Sequence, residues 1–385
     1  MVSEIIGGDM NSPGEADIEP VLNEPVPLRI HHVHGDPRAV LDQVLRDHLH
    51  RRLRRVEATD AEFAAGTAAQ TVAFTLAGGK RLRSALAWWG WRAGGGPVSG
   101  PVAQHALAAC ASLELLQTCA LVHDDVMDGS QTRRGVPCVH RVHEAEHREH
   151  GWSGEDRRYG ESLAVLVGDL ALAWADDMLS GALPGVPRPE EGREVWREMR
   201  TEMIAGQFLD VRGQATRSRS ESLALRIDLL KTASYTVERP LHLGAAMAGA
   251  PPAVIEALRS YGRDVGVAFQ FADDLAGAYG DSRATGKPVG DDLREGKTTL
   301  LLALGTRIAR EEGDAQALEL LERVGSGADT AEAAAALERL GAADRVREHC
   351  RGLAARGAAH LDGVELPEPV HTHLADLARR IGEGV

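Results

Sequence analysis

LELLQTCALVHDDVMDGSQTRRG, residues 113–135, is the stretch on which the reading of this chain turns. It starts as an apolar helix, ends in a cluster of carboxylates, and is followed at once by two arginines. Residues four apart share a helix face, so Asp124 and Asp128 point the same way, with Gln117 two turns earlier near the same line and Asp125 about 100° round. Parallel carboxylates at the mouth of an apolar helix suit a hard divalent cation, especially where phosphate oxygens complete its shell. Arg133 and Arg134 add forked donors fitted to phosphate. Alone, the same residues also describe a solvated acidic helix end, so the rest of the chain has to decide.

Aromatics make up only 4% of the 385 residues, while Ala, Leu, Arg and Glu recur throughout. Strand-type runs are scarce, and the expected class is all-α. The formal charge of −14 argues against nucleic acid as a global partner. Cys110, Cys119, Cys138 and Cys350 show no C-x-x-C spacing, which points to reduced thiols. The amino terminus lacks the basic and apolar regions of a signal peptide, and no run of 18 apolar residues occurs. A soluble, cytoplasmic protein without a membrane span is expected. The 43 basic residues include only Lys80, Lys231, Lys287 and Lys297. Three of these four follow glycine and the fourth precedes Thr232, a pairing of compact ammonium and close-approaching backbone that suits a phosphate cradle.

Residues 1–36, rich in proline, glycine and acidic side chains, read as a mobile extension, and residues 37–385 as one domain. His31, His32 and His34 read as a solvated cluster. Helical periodicity begins near Ala39, and AEFAAGTAAQTVAFTL (residues 61–76) predicts a second helix. Gly78 and Gly79 then open a new helix with Lys80, Arg81 and Arg83 in its first turn, where cations oppose the helix dipole and a bound anion would settle them. Residues 101–128 predict one long helix. His143-Glu144-x-x-His147 matches a zinc-protease pattern, but its charged flanks predict a solvated surface helix instead. Asp169, alone among Leu and Val, reads as a satisfied buried carboxylate. Gln207 and Asp210 are available on a later helix, and Lys231, mid-helix among apolar residues, needs an anion. VGVAFQFADDLAGAYGDSRATGKPVGDDLREGKTTLLLAL (residues 265–304) repeats the opening logic: Gln270, then Asp273 and Asp274, then glycine-lysine turns at Lys287 and Lys297. The tail from about Arg307 reads as packing helices.

These motifs, in this order, resemble the trans-isoprenyl diphosphate synthases, and in particular bacterial geranylgeranyl diphosphate synthase. The resemblance covers most of residues 78–300 and implies an all-α single helical bundle with a central active-site cavity, usually dimeric. It implies that Gly79, Lys80, Arg83, Gln117 and Arg134 hold isopentenyl diphosphate, and that Arg133, Lys231, Lys287 and Lys297 grip an allylic diphosphate. Asp124, Asp128 and Asp273 would bind a magnesium cluster, with Asp125 and Asp274 in support, and Thr232 and Gln270 would lend dipoles to an allylic cation. Two positions depart from the family pattern. Gly277 stands where the second acidic motif has its last aspartate, leaving Asp281 to help through water, and Ser84 replaces a proline, loosening the helix start.

The growing chain should descend along the opening helix. Ala120 and Cys119 are small one turn below Asp124, and Leu116 lies a turn deeper; four helical residues span about 6 Å, roughly one isoprene unit. Geranylgeranyl diphosphate is the expected product. A terpene cyclase would share the acidic helices without needing Lys80, Arg83 and Arg134, and a non-catalytic regulatory subunit would survive the loss at Gly277.

Overall fold

The computed structural model describes Val33 and residues 35–133, 135–280 and 290–385. Nearly all of the expected extension, together with His31, His32, His34, Arg134, Asp281, Gly286 and Lys287, lies outside the described residues.

The described chain is almost wholly helical, as the composition predicts. In order run α1 (Arg38–Glu57), α2 (Ala61–Phe63), a π-helical turn (Ala64–Ala68), α3 (Ala69–Leu76), α4 (Leu82–Ala93) and α5 (Pro101–Asp128). A short antiparallel pair, β1 (Thr132–Arg133) and β2 (Val136–Pro137), follows. Then come α6 (Val139–His150), α7 (Asp156–Ala182), α8 (Pro189–Ala215), α9 (Glu221–Ile227), a π-helical segment (Asp228–Glu238), α10 (Arg239–Ala248) and α11 (Pro252–Tyr279). The remainder is α12 (Asp291–Glu295), α13 (Leu300–Glu312), α14 (Ala315–Glu322), α15 (Thr330–Arg339), α16 (Ala342–Ala359) and α17 (Glu368–Glu383).

Helix α5 is the axis of the bundle. Pro101 occupies its first turn, where a missing N–H costs nothing, and Gly129 in the left-handed region stops it just past Asp128. By length and hydropathy α5 would pass as a membrane span, but 72% of its apolar window is buried inside the protein. The main apolar cluster joins α4, α10 and α11 to the carboxy-terminal helices through Leu86, Leu241, Phe271, Leu301, Leu337 and Leu374. The tail is therefore packing, as its amphipathic pattern predicts.

Three expectations need correcting. The run 221–248 is one continuous rod, but its middle eleven residues are wound as π-helix. The backbone there is approached from two sides: a Cβ on Gly206 of α8 would lie 2.4 Å from the Lys231 nitrogen, and one on Gly266 of α11 would lie 2.5 Å from the Ala233 Cα. The helix bearing His143 and His147 is solvated on one face only, and the histidines lie on the other. His143, Glu144 and His147 are buried, because Tyr159 packs against both imidazoles, Trp152 against that of His147, and Arg141 and Arg148 neutralise Glu144. His147 Nε2 lies 3.1 Å from the Ser153 carbonyl and His143 Nδ1 lies 2.8 Å from Glu146, so both rings have protein partners. Asp169 is not buried either: its side chain is 63% exposed, 3.8 Å from His123.

Candidate active site

The polar ends of α5, α8 and the π-helical segment meet. Lys231 Nζ donates to Asp124 Oδ1 at 2.9 Å and to Asp210 Oδ2 at 2.6 Å, and Gln207 Nε2 donates to the same Asp124 oxygen at 3.1 Å. The mid-helix lysine thus finds the anions that its burial demands. Lys297 enters from the loop after α12, with Nζ 3.2 Å from Asp128 Oδ2, 3.2 Å from Glu295 Oε2 and 3.6 Å from Asp292 Oδ1. Arg133 turns back along α5 and binds Asp125 through two nitrogens, with Nη2 3.3 Å from Asp124 Oδ2.

Electrostatics separate the two outer carboxylates of the first motif. Burial works against charge on Asp124, but Lys231, Lys297 and Arg133 outweigh it and hold the carboxyl well below the ordinary range. Asp128 moves the other way: burial raises its pKa, and the repulsion of Asp124 adds to that against the pull of Lys297. Lys231 and Lys297 both stay protonated above the usual lysine value, because their carboxylate partners overcome burial.

On α11 the second motif divides its labour. Thr232 Oγ1 donates to Gln270 Oε1 at 2.5 Å, and Gln270 Nε2 donates to Asp274 Oδ1 at 2.6 Å. Asp274 is buried behind Gln270, whereas Asp273 is exposed on the rim. Asp274 is pushed well above the ordinary carboxylate value by burial, then by Asp228 and Asp292. Asp228 was missed by the sequence reading. It is a buried carboxylate on the π-helical segment, pushed up by burial and by Asp210, and its only signal was a lone charge three residues before Lys231. Asp210 was noted merely as available, and no sequence signal assigned it to Lys231.

The glycine turn also divides. Gly78 and Gly79 both have positive φ, and Lys80 is exposed. Arg81, expected beside a bound anion, is instead buried, with Nε 2.6 Å from Asp42 and Nη1 3.0 Å from both Glu114 and the Thr75 carbonyl. Ser84 does not loosen the helix start: its hydroxyl donates to Glu114 at 2.7 Å. Arg83 lies over the Tyr235 ring, 4.4 Å from its centroid, and donates to Thr236, leaving Nε without a partner. Gln117 is half-buried with Oε1 unpartnered. Of the three residues expected to set depth, Ala120 keeps partial access, while Leu116 and Cys119 are buried. Cys119 Sγ lies 3.7 Å from His123 Nδ1.

Among the described residues no three Asp, Glu, His or Cys side chains already converge as a metal cage. The donor set nonetheless fits a hard divalent cation. Asp128, its side chain only 2% exposed, has Oδ1 without a hydrogen-bond partner, and its neighbours offer oxygen rather than sulfur or imidazole. Asp124, Asp128 and Asp273 have the carboxylates for it. Asp125 and Asp274, expected in support of that set, pair with Arg133 and Gln270.

The polyprenyl synthetase family model matches residues 67–339. A short chain isoprenyl diphosphate synthase from Methanothermobacter thermautotrophicus is 32% identical, over 65% of this chain and 74% of that protein. A geranylfarnesyl diphosphate synthase from Aeropyrum pernix is 34% identical, over 60% of this chain and 68% of that protein. Among solved structures, a geranylgeranyl pyrophosphate synthase from Corynebacterium glutamicum, complexed with isoprenyl diphosphate and magnesium, superimposes with a TM-score of 0.83 at 40% identity, covering 91% of this chain and 99% of that one.

Proposed function

This chain belongs to the polyprenyl synthetase family and is a trans-prenyltransferase, and we propose that it condenses isopentenyl diphosphate with an allylic diphosphate to make geranylgeranyl diphosphate. The observation that carries the reading is the pair of lysine bridges, Lys231 between Asp124 and Asp210 and Lys297 between Asp128 and Asp292, which set cations and carboxylates together at the mouth of an apolar helix.

Asp124, Asp128 and Asp273 would hold magnesium, which when bound neutralises charge on the departing diphosphate. Lys231, Lys297 and Arg133 exchange carboxylate oxygens for those of the allylic diphosphate and add fixed positive charge where negative charge develops; Lys287 is assigned to the same group. Lys80, Arg83 and Arg134, with Gly79 and Gln117, take isopentenyl diphosphate, and the unpartnered Arg83 Nε supports its part. As the allylic C–O bond breaks and diphosphate departs, the isopentenyl double bond attacks the allylic carbon, a C–C bond forms, and the proton lost from the resulting cation passes to the released diphosphate. The Thr232–Gln270 pair presents oriented dipoles to the passing cation, and apolar walls exclude water. Ala120, the partly open residue a turn below Asp124, sets the depth.

The protein is further proposed to act as a cytoplasmic homodimer. Exposed Ile204, Phe208 and Val211 form a stripe on α8, with exposed Met127 beside Gln207. Mass analysis of products from isopentenyl diphosphate with each allylic primer, with and without magnesium, tests the activity. A twenty-carbon product that requires magnesium is expected. A hydrocarbon from geranylgeranyl diphosphate alone would favour the cyclase, and absence of turnover would favour the regulatory subunit.

A further inference from the structure

Position 277 lies four residues after Asp273 on α11, so a side chain there would share its face. The glycine leaves that volume open, and another carboxylate fills it: a Cβ on Gly277 would fall 2.3 Å from Asp292 Oδ2. The placement is anchored by backbone on both sides. Gly290 N donates to the Gly277 carbonyl at 2.9 Å, and Lys297 N donates to the Asp292 carbonyl at 3.0 Å. Asp292 also faces the first acidic helix, because its Oδ1 is 3.6 Å from the Lys297 ammonium that lies 3.2 Å from Asp128 Oδ2. At that junction the buried Asp128 keeps Oδ1 without a hydrogen bond, an oxygen in want of a cation.

We propose that Asp292, on α12, supplies the second metal subsite with the carboxylate that Gly277 lacks. The assignment rests on the metal-dependent reading above. A hard cation needs oxygen at the right distance and is indifferent to which element brings it. Because the Asp292 carboxylate is the free end of a side chain, an aspartate placed at 277 can displace it, so the two positions should be interchangeable.

The test is Mn2+ binding to the full chain in the presence of inorganic pyrophosphate, followed by electron paramagnetic resonance, with circular dichroism to verify folding. Asp292→Asn should raise the half-saturating Mn2+ concentration about tenfold, Gly277→Asp with Asp292→Asn should recover most of that loss, and the Asp292→Asn penalty should persist in a Lys297→Met background. Unchanged Mn2+ affinity in Asp292→Asn, or a penalty that vanishes with Lys297→Met, overturns the assignment. Absence of pyrophosphate-supported Mn2+ binding in the unaltered protein would overturn the functional reading and this assignment with it.

Discussion

Arg81 and Arg83 stand two positions apart in one glycine turn and end in different environments. Arg81 has φ +47°, a left-handed conformation that turns its side chain under the helix toward Glu114 and Asp42, while Arg83, inside the helix, emerges over Tyr235. Glu114→Ala should therefore leave a buried guanidinium short of its main counter-charge and cost about 3 kcal/mol of stability, measured by urea denaturation, with KM for isopentenyl diphosphate unchanged. Arg83→Ala should do the reverse, raising that KM with little loss of stability. The sequence shows that cations follow two glycines. It does not show which one turns inward, because that depends on a single backbone conformation and on a carboxylate 33 residues further on. The same holds for Asp125 and Asp274: a motif marks carboxylates, and only packing reveals that these two pair with Arg133 and Gln270.

At the scale of elements, α5 and α11 were legible because each carries a long apolar helical pattern ending in carboxylates. The π-helical segment was not, since one extra residue per turn within an apolar run leaves the composition unchanged. Its winding matters because it carries Lys231 and Thr232 to different partners, Asp124 and Gln270. Gly206 admits the Lys231 backbone at contact distance, so Gly206→Ala has no flexible neighbour to push aside and must move the segment. A shift of about 1 Å should lower kcat roughly 10²-fold, with a smaller change in KM and a lowered melting temperature, read by steady-state kinetics and calorimetry. Helix α6 was misread because Trp152 and Tyr159, the rings that bury its histidines, follow it in the chain. On α5, Ala120→Phe should close the partly open turn below Asp124 and shorten the product by at least one isoprene unit, seen by mass analysis; an unchanged product would remove Ala120 from the depth-setting role.

For the whole molecule, the α8 stripe and two half-buried histidines, His48 and His242, give separable expectations. Phe208→Glu should place a charge in the proposed dimer face and convert the protein to monomer, by light scattering. The histidines govern acid stability. His48 is pushed down to about 4 by burial and by Arg51, Arg52 and Arg55. His242 is pushed down to about 4 by burial and by Arg259 and Arg239, against the weaker pull of Glu202 and Glu256. Folded, both rings are neutral at pH 6; unfolded, both titrate near 6.5. Between about pH 6.5 and 4 the unfolded chain binds more protons, so each histidine should reduce stability by up to about 1.4 kcal/mol per unit of falling pH, and the loss should level off below 4 where both states are protonated. Asp228 and Asp274 oppose this trend: their raised pKa values mean that the folded state takes up protons first, and stability is gained as pH falls through them. The net curve mixes both signs, so the informative quantity is a difference. Stability of His242→Gln minus that of the unaltered protein, from urea midpoints at pH 7 to 4, should rise steadily as pH falls below 6.5 and flatten near 4. A flat difference across that range would mean that His242 titrates normally in the folded protein.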